Sequence, residues 1–404
     1  MGSTFAAENR DQVVEAVAWA AAEEQPLEVL GRGSKRALGR PVQAAHSLDL
    51  SKLSGITLYE PEELVLSARA GTSLAEIEAA LDAENQMMAF EPADLAPLLG
   101  TETGSASIGG VLACNLSGPR RIKAGAARDH FLGVESASGR GELFKSGGRV
   151  VKNVTGYDLC KLLCGSFGTL AVMTDVTVKV LPRPQKTYTV LLFGLDDATA
   201  VKAMSRALGS PHEVAGAAHL PAALAAGSEV SYVAGAGGGV TALRLEGPAP
   251  SVEYRCAALR RELADLGDTE ELHSQNSLTL WRELRDVRPF CAQQDRAVWR
   301  LSVAPSLGPE VVASIAEGEA FYDWGGGLVW LALSADGDAG ATRIRDVLQP
   351  LGGHATLVRA PAEVRAAEAV FQPQDPAMAA LQARVKEGFD PHRILNPGRM
   401  YAGL

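Results

Sequence analysis

Three short segments rich in glycine and small hydroxyl residues hold the groups of this sequence best placed to do chemistry. The first is Gly31-Arg32-Gly33-Ser34-Lys35, directly after the apolar run Leu27-Glu28-Val29-Leu30. Glycine lets backbone approach a ligand closely, so successive N–H groups can converge on a phosphate, and Ser34 adds a hydroxyl. The second runs from Ser105 to Gly118 and contains Ile108-Gly109-Gly110, and the third runs from Gly165 to Leu170. Three separated loops of this kind predict an extended ligand held at several points, of the size of a dinucleotide such as FAD. Tight connections in a compact α+β domain would use the same residues, so the loops alone leave that alternative open. The first loop is neither G-x-G-x-x-G nor a Walker A sequence, which speaks against a Rossmann domain and a kinase.

Other reactive residue types are scattered. Cys160 and Cys164 are four apart, on one face of a helix, and the other cysteines, Cys114, Cys256 and Cys291, are far away in sequence. That pattern predicts buried thiols rather than metal or cluster ligation. The seven histidines form no H-x-H, H-x-x-H or H-E-x-x-H motif, so no dedicated metal site is expected. There is no G-x-S-x-G nucleophile elbow. Glu62-Glu63 and Asp196-Asp197 read as solvated helix starts rather than as a glycosidase pair.

The elements that must position the loops follow from periodicity. Residues 9–24 place Val13, Val14, Val17, Ala18 and Ala21 on one helical face. Strands are expected at 27–30, 47–50, 64–70, 133–137, 142–145 and 172–181. Thr72 or Ser73 caps a helix running through Leu74, Ile77, Ala80 and Leu81, with Glu76 completing a capping box. Residues 100–118 are rich in Gly, Ser and Thr and hold the loop expected at 105–118, and 158–164 reads as a short helix. Pro182 and Pro184 mark a domain boundary. Beyond them, strands such as 189–193 and 298–303 mix with helices such as 252–266 and 341–348, the pattern of a small α+β domain. Residues 376–389 form a last helix before Asn396-Pro397-Gly398-Arg399. The expected organisation is a first domain at 1–185, a second at 186–370, and a C-terminal segment at 371–404 that packs back on the first.

Composition limits the function classes. A chain of 404 residues suggests two or three domains. With 47% hydrophobic and 21% charged residues it is globular, and its net charge of -10 argues against nucleic acid, which demands a basic footprint. The N-terminus has no basic segment leading into an apolar one, so no secretory leader is expected. No run of 18 apolar residues exists, so contact with a membrane is expected only indirectly, through a partner. Five cysteines in this context suggest free thiols in a reducing cytoplasm.

The loops also carry a family resemblance. Val29 to Lys35 with Leu38-Gly39-Arg40-Pro41, then Ala70-Gly71-Thr72-Ser73-Leu74, Ile108 to Asn115, Gly165 to Val172 and Asn396-Pro397-Gly398-Arg399 resemble the flavin-contacting segments of PCMH-type (vanillyl-alcohol oxidase-like) FAD-binding flavoproteins. Ser117-Gly118-Pro119-Arg120-Arg121, Val151 to Leu159, Lys179 to Pro184, Asp323-Trp324-Gly325-Gly326 and Gly352 to Thr356 narrow the resemblance to the FAD-binding subunits of bacterial glycolate oxidases. The resemblance implies an α+β fold: a two-subdomain FAD domain, a smaller α+β domain and a returning C-terminal segment. It implies FAD, with the pyrophosphate at Gly31, Arg32, Gly33, Ser34 and Lys35. The flavin side is carried to Gly71, Thr72, Ser107, Ile108, Gly109, Gly110 and Asn115, with Gly118, Gly168, Val172 and Asn396 as further contacts. Covalent members place a histidine in the first loop, where this chain has Ser34, so the FAD is expected to be non-covalent. The histidine motif of the catalytic 2-hydroxy-acid dehydrogenases has no counterpart between 186 and 370. The resemblance therefore implies a redox subunit that works beside a catalytic flavoprotein subunit and an iron–sulfur subunit. A scaffold role, or a self-sufficient dehydrogenase using a base such as His354, stays open at this level.

Overall fold

The structure is a computed structural model that describes residues 2–149 and 156–404. Residues Val151 to Thr155, part of one motif quoted above, lie outside the described residues. The chain forms two compact units: Met1–Ser117, Gly125–Arg183 and Pro373–Leu404 make the first, and Gly118–Ala124 with Pro184–Gln372 the second.

The first unit is built mainly on two sheets, beside a two-stranded pair of Gln86–Met87 with Leu181–Pro182. Helix Arg10–Ala22 starts where the Asn9 side chain accepts from the Gln12 N–H at 3.0 Å. It buries Val13, Ala16, Val17 and Ala20 against Leu27, Leu48 and Leu50, which belong to or follow a small parallel sheet. That sheet has the order Thr4–Ala6, His46–Asp49, Leu27–Leu30. The second sheet is antiparallel, in the order Ile56–Glu60, Val65–Arg69, Ala171–Lys179, Phe131–Ser138, Leu143–Gly147. Helix Leu74–Ala83 has Ser73 as its N-cap, bonded to the Glu76 N–H at 3.2 Å, and buries Leu74, Ile77 and Leu81.

Within 100–118 the structure departs from the expected loop. Ile108–Cys114 is a two-turn helix with the Ser107 hydroxyl as N-cap. Gly109 and Gly110 are poor helix formers, which hides the helix from propensity. Close packing explains Gly109: a Cβ there would lie 2.8 Å from the Ala70 Cβ and from its carbonyl oxygen. Tertiary contact has overridden local preference.

The second unit holds one eight-stranded antiparallel sheet. Its order is Thr269–His273, Lys186–Phe193, Val240–Gly247, Gly216–Leu220, Glu319–Asp323, Leu328–Ser334, Arg296–Ser302, His354–Arg359. One face carries the core of Val190, Leu192, Leu243, Trp299, Leu301, Tyr322, Leu331 and Leu357, with residues of helices Asp197–Leu208, Ala249–Glu262, Gly308–Ile315 and Ala341–Leu351. The Asp196-Asp197 pair does start a helix: Asp196 is the N-cap, bonded to Thr199 N–H at 2.7 Å. Asp197 is not simply solvated, because Tyr322 donates its hydroxyl to it at 2.6 Å.

Candidate functional site

The glycine loop, the helix that follows Ser107 and the turn at Gly168 come together around one pocket of the first unit. The pocket is lined by Gly31, Arg32, Gly33, Ser34, Lys35, Ser107, Gly109, Gly110, Gly168 and Asn396, all expected site residues. Gly71, Thr72, Ile108, Asn115 and Val172 stand outside the lining and support it. Thr72 is fully buried and its hydroxyl donates to the Arg69 carbonyl at 2.6 Å. A Cβ at Gly71 would fall 1.9 Å from the Leu50 carbonyl oxygen, so this glycine serves a close backbone crossing. Asn115 caps the short helix in the left-handed conformation, and its side-chain oxygen accepts from the Arg128 N–H at 3.1 Å. Gly118 belongs to the second unit, where its carbonyl accepts from the Trp324 indole N–H at 3.1 Å.

The glycine loop has the electrostatic form of an anion cradle. Among the described residues, the four successive N–H groups of Arg32, Gly33, Ser34 and Lys35 have no hydrogen-bond partner. Unpaired N–H groups this close in sequence are costly unless a ligand or solvent satisfies them. Gly33 has φ +77°, and a Cβ built on it meets nothing within 4 Å. The space beside it is open for a ligand. The Lys35 ammonium makes one hydrogen bond, to Ser34 Oγ at 3.2 Å, and lies 3.6 Å from where a Gly110 Cβ would stand. Burial pulls the Lys35 pKa below the usual lysine range, opposed by the nearby Cys114 and Asp94. The lining therefore combines glycine backbone, a hydroxyl and an under-satisfied cation at one end with apolar Ala70, Ala171 and Met173. A diphosphate joined to a flat aromatic ring system fits that division.

Three sets of side-chain contacts hold the loop and the strand before it. Arg36 makes a forked pair with Glu28, with Nε at 2.9 Å from Oε1. Arg399 donates to the Lys35 carbonyl at 2.8 Å. Asn396 bridges two walls: its side-chain oxygen accepts from Val29 N–H at 2.8 Å and its amide donates to the Phe167 carbonyl at 2.9 Å. Sequence reading placed Asn396 as a cofactor contact. It lines the pocket, and its amide joins three chain segments at the pocket edge. Arg399 and Cys114 line the pocket and were not among the expected site residues, although both lie inside quoted motifs. Only the fold brings Arg399 to a loop 364 residues earlier in the chain.

Lys35→Met separates binding from stability. Losing a charge-assisted contact to phosphate is expected to weaken FAD binding by roughly ten- to a hundredfold, from about 1.5–3 kcal/mol. The ligand-free protein should melt no lower than the parent, because the buried ammonium is held there against its desolvation. Fluorescence titration with FAD and melting of the flavin-free protein read the two effects. Equal affinity would remove Lys35 from the site.

Comparison with known proteins places these features. Residues 3–147 match a family model described as an FAD binding domain. Among solved structures, p-cresol methylhydroxylase superposes over 99% of this chain and 88% of its own, with a TM-score of 0.75 at 14% identity. An alkyldihydroxyacetonephosphate synthase does so over 98% and 76%, with a TM-score of 0.69 at 15% identity. The family model and the fold thus give a flavoprotein whose cofactor is FAD. Glycolate oxidase subunit GlcE of Escherichia coli (strain K12) is 36% identical over 393 residues, 97% of this chain and 97% of that protein. Glycolate oxidase subunit GlcD of Bacillus subtilis (strain 168) is 22% identical over 441 residues, 99% of this chain and 89% of its own. The chain belongs to the GlcE family of glycolate oxidase subunits. Among the described residues no helix is long and apolar enough to cross a membrane.

Proposed function

We propose that this chain is the FAD-binding subunit of an assembly that oxidises glycolate to glyoxylate. In this reading a partner flavoprotein performs the substrate chemistry, this subunit relays electrons, and an iron–sulfur subunit takes them on. The observation that carries the reading is the 36% identity to GlcE along nearly the whole length of both chains. FAD supplies the two-electron redox chemistry when bound. The chain's own part is to bind and orient it. The N–H groups of residues 32–35 and the Lys35 ammonium receive the phosphates, Arg399 and Asn396 hold the loop against its neighbours, and the apolar wall excludes water from the ring. Oxidising a 2-hydroxy acid also needs a base and a cation for the carboxylate beside the flavin. The histidine motif expected for that work is absent from the sequence, so a partner is assigned the step. Copurification of the tagged chain with a larger flavoprotein and an iron–sulfur protein supports this assembly. Recovery of the chain alone from cells expressing all three would count against it.

The flavin is held without a covalent bond. Ser34 occupies the place of the linking histidine, and Cys114, the thiol in the pocket lining, is pushed up in pKa by burial, which keeps it a poor nucleophile. Acid precipitation is expected to release essentially all the yellow colour into the supernatant. Colour that stays with the pellet would contradict a dissociable cofactor.

A further inference from the structure

We propose that the free end of the C-terminal helix, residues 376–381, is the element by which this chain docks into a partner subunit of different sequence, seated in an uncharged apolar groove of that partner. The inference rests on the assembly reading above and adds the surface that makes the contact. Helix Pro376–Phe389 belongs to the first unit. Its first six residues, Pro376, Ala377, Met378, Ala379, Ala380 and Leu381, are all apolar and all exposed. Met378 and Leu381 are each 45% exposed. A helix that is apolar on every side belongs inside a protein or against one, and an exposed apolar run of this length costs solubility unless something covers it.

The apolar stripe of this helix is longer than the surface beneath it. Met378, Leu381, Val385 and Phe389 follow the i, i+3, i+7, i+11 spacing of a single helical face. Val385 and Phe389 pack on the core of the first unit, and the Phe389 ring meets that of Phe144 with centroids 5.9 Å apart. Met378 and Leu381 carry the same face past that core into solvent. The end is also preformed. The Asp375 carboxylate caps it, accepting from the N–H groups of Ala377 and Met378 at 3.0 Å each, and Pro376 opens the helix. Lys386, buried against Asp390 and the carbonyls of Thr169 and Leu395, anchors the other half. A helix end held in this way loses little conformational entropy on binding.

Charge and area choose the occupant. No charged residue lies between Asp375 and Arg384, so a charged protein surface gains nothing here, and an anionic membrane meets no basic residue on the end itself. At 1.5 Å per residue the six residues span roughly 9 Å. Two such ends laid side by side would bury on the order of a few hundred Å², well short of the roughly 1,200 Å² of a stable specific interface. A second copy of this chain is therefore a poor cover. A groove that closes around the end buries all its sides, as one anchor of a larger interface with another subunit.

The test coexpresses the tagged chain with the partner flavoprotein and the iron–sulfur protein and measures what copurifies. Met378→Glu combined with Leu381→Glu brings two carboxylates into the groove and is expected to lower partner recovery at least about tenfold. Both side chains are exposed, so the variant should keep the flavin content and melting temperature of the parent. Met378→Leu combined with Leu381→Met keeps the apolar volume and should keep the partners. Parent-like recovery of partners by the charged variant overturns the proposal. It is also overturned if the parent chain alone is a dimer by light scattering and the charged variant a monomer, which makes a second copy the occupant. Flotation of the parent with phosphatidylserine-containing vesicles, lost in the charged variant, overturns it in favour of a membrane. Recovery of the parent without partners overturns the assembly reading and this docking element together, whereas a loss confined to the charged variant supports both.

Discussion

A Gly33→Asp variant is expected to fold and to be purified without flavin. The backbone at residue 33 has φ +77°, a conformation that costs an L-residue about 1 kcal/mol, and aspartate tolerates it better than most. Nothing in the protein obstructs the new side chain, so the fold should survive. The carboxylate would stand in the open space beside the unpaired N–H groups and the Lys35 ammonium, where it satisfies them itself and repels the phosphates. Loss of two charge-assisted contacts amounts to roughly 3–6 kcal/mol, or on the order of a hundred- to ten-thousandfold in affinity. Gly33→Ala carries the same backbone strain without the charge and should keep most of its FAD. Flavin absorbance per protein after desalting distinguishes the two variants. Equal occupancy in Gly33→Asp and the parent would displace the diphosphate from this loop.

The second large effect is expected far from the glycine loop in sequence. Lys386 on the C-terminal helix Pro376–Phe389 is buried, and its ammonium meets Asp390 at 2.7 Å, the Thr169 carbonyl at 2.6 Å and the Leu395 carbonyl at 3.0 Å. Asp390 in turn accepts from the N–H groups of Ile394 at 3.1 Å and Leu395 at 2.8 Å. This knot sets the path of the chain into Asn396 and Arg399. Lys386→Met would leave the Asp390 carboxylate buried without its cation, at a cost of about 3–5 kcal/mol. For a unit of this size that corresponds to a loss of roughly 6–20 °C in Tm. Flavin affinity should fall as well, because Asn396 and Arg399 lose their anchor. The double variant Lys386→Met with Asp390→Asn removes the stranded charge and should regain part of the stability. A melting temperature within a degree of the parent in the single variant would show that the pair does not hold this segment.

Much of the site was legible because its signals are local. Gly33 announces itself as glycine in a loop after a strand, and Ser73 as a cap three residues before Glu76; the structure uses both in those ways. What the sequence hid depends on contacts between distant segments. The helix Ile108–Cys114 contradicts the propensity of its two glycines, because close approach to Ala70 requires Gly109. The motif marks Asn396, but only the fold shows that its amide also joins Val29 to Phe167 at the pocket it lines.

The central claim, that this chain binds FAD and depends on partners for the oxidation of its substrate, is tested most directly by stopped-flow absorbance under anaerobic conditions. The purified, flavin-loaded chain is mixed with excess glycolate, D-lactate or L-lactate, alone and again within the copurified assembly. The account predicts no bleaching of the flavin band within seconds for the chain alone, and rapid bleaching with glycolate in the assembly. Rapid bleaching of the isolated chain would contradict it and identify a self-sufficient dehydrogenase, with His354 the first candidate base.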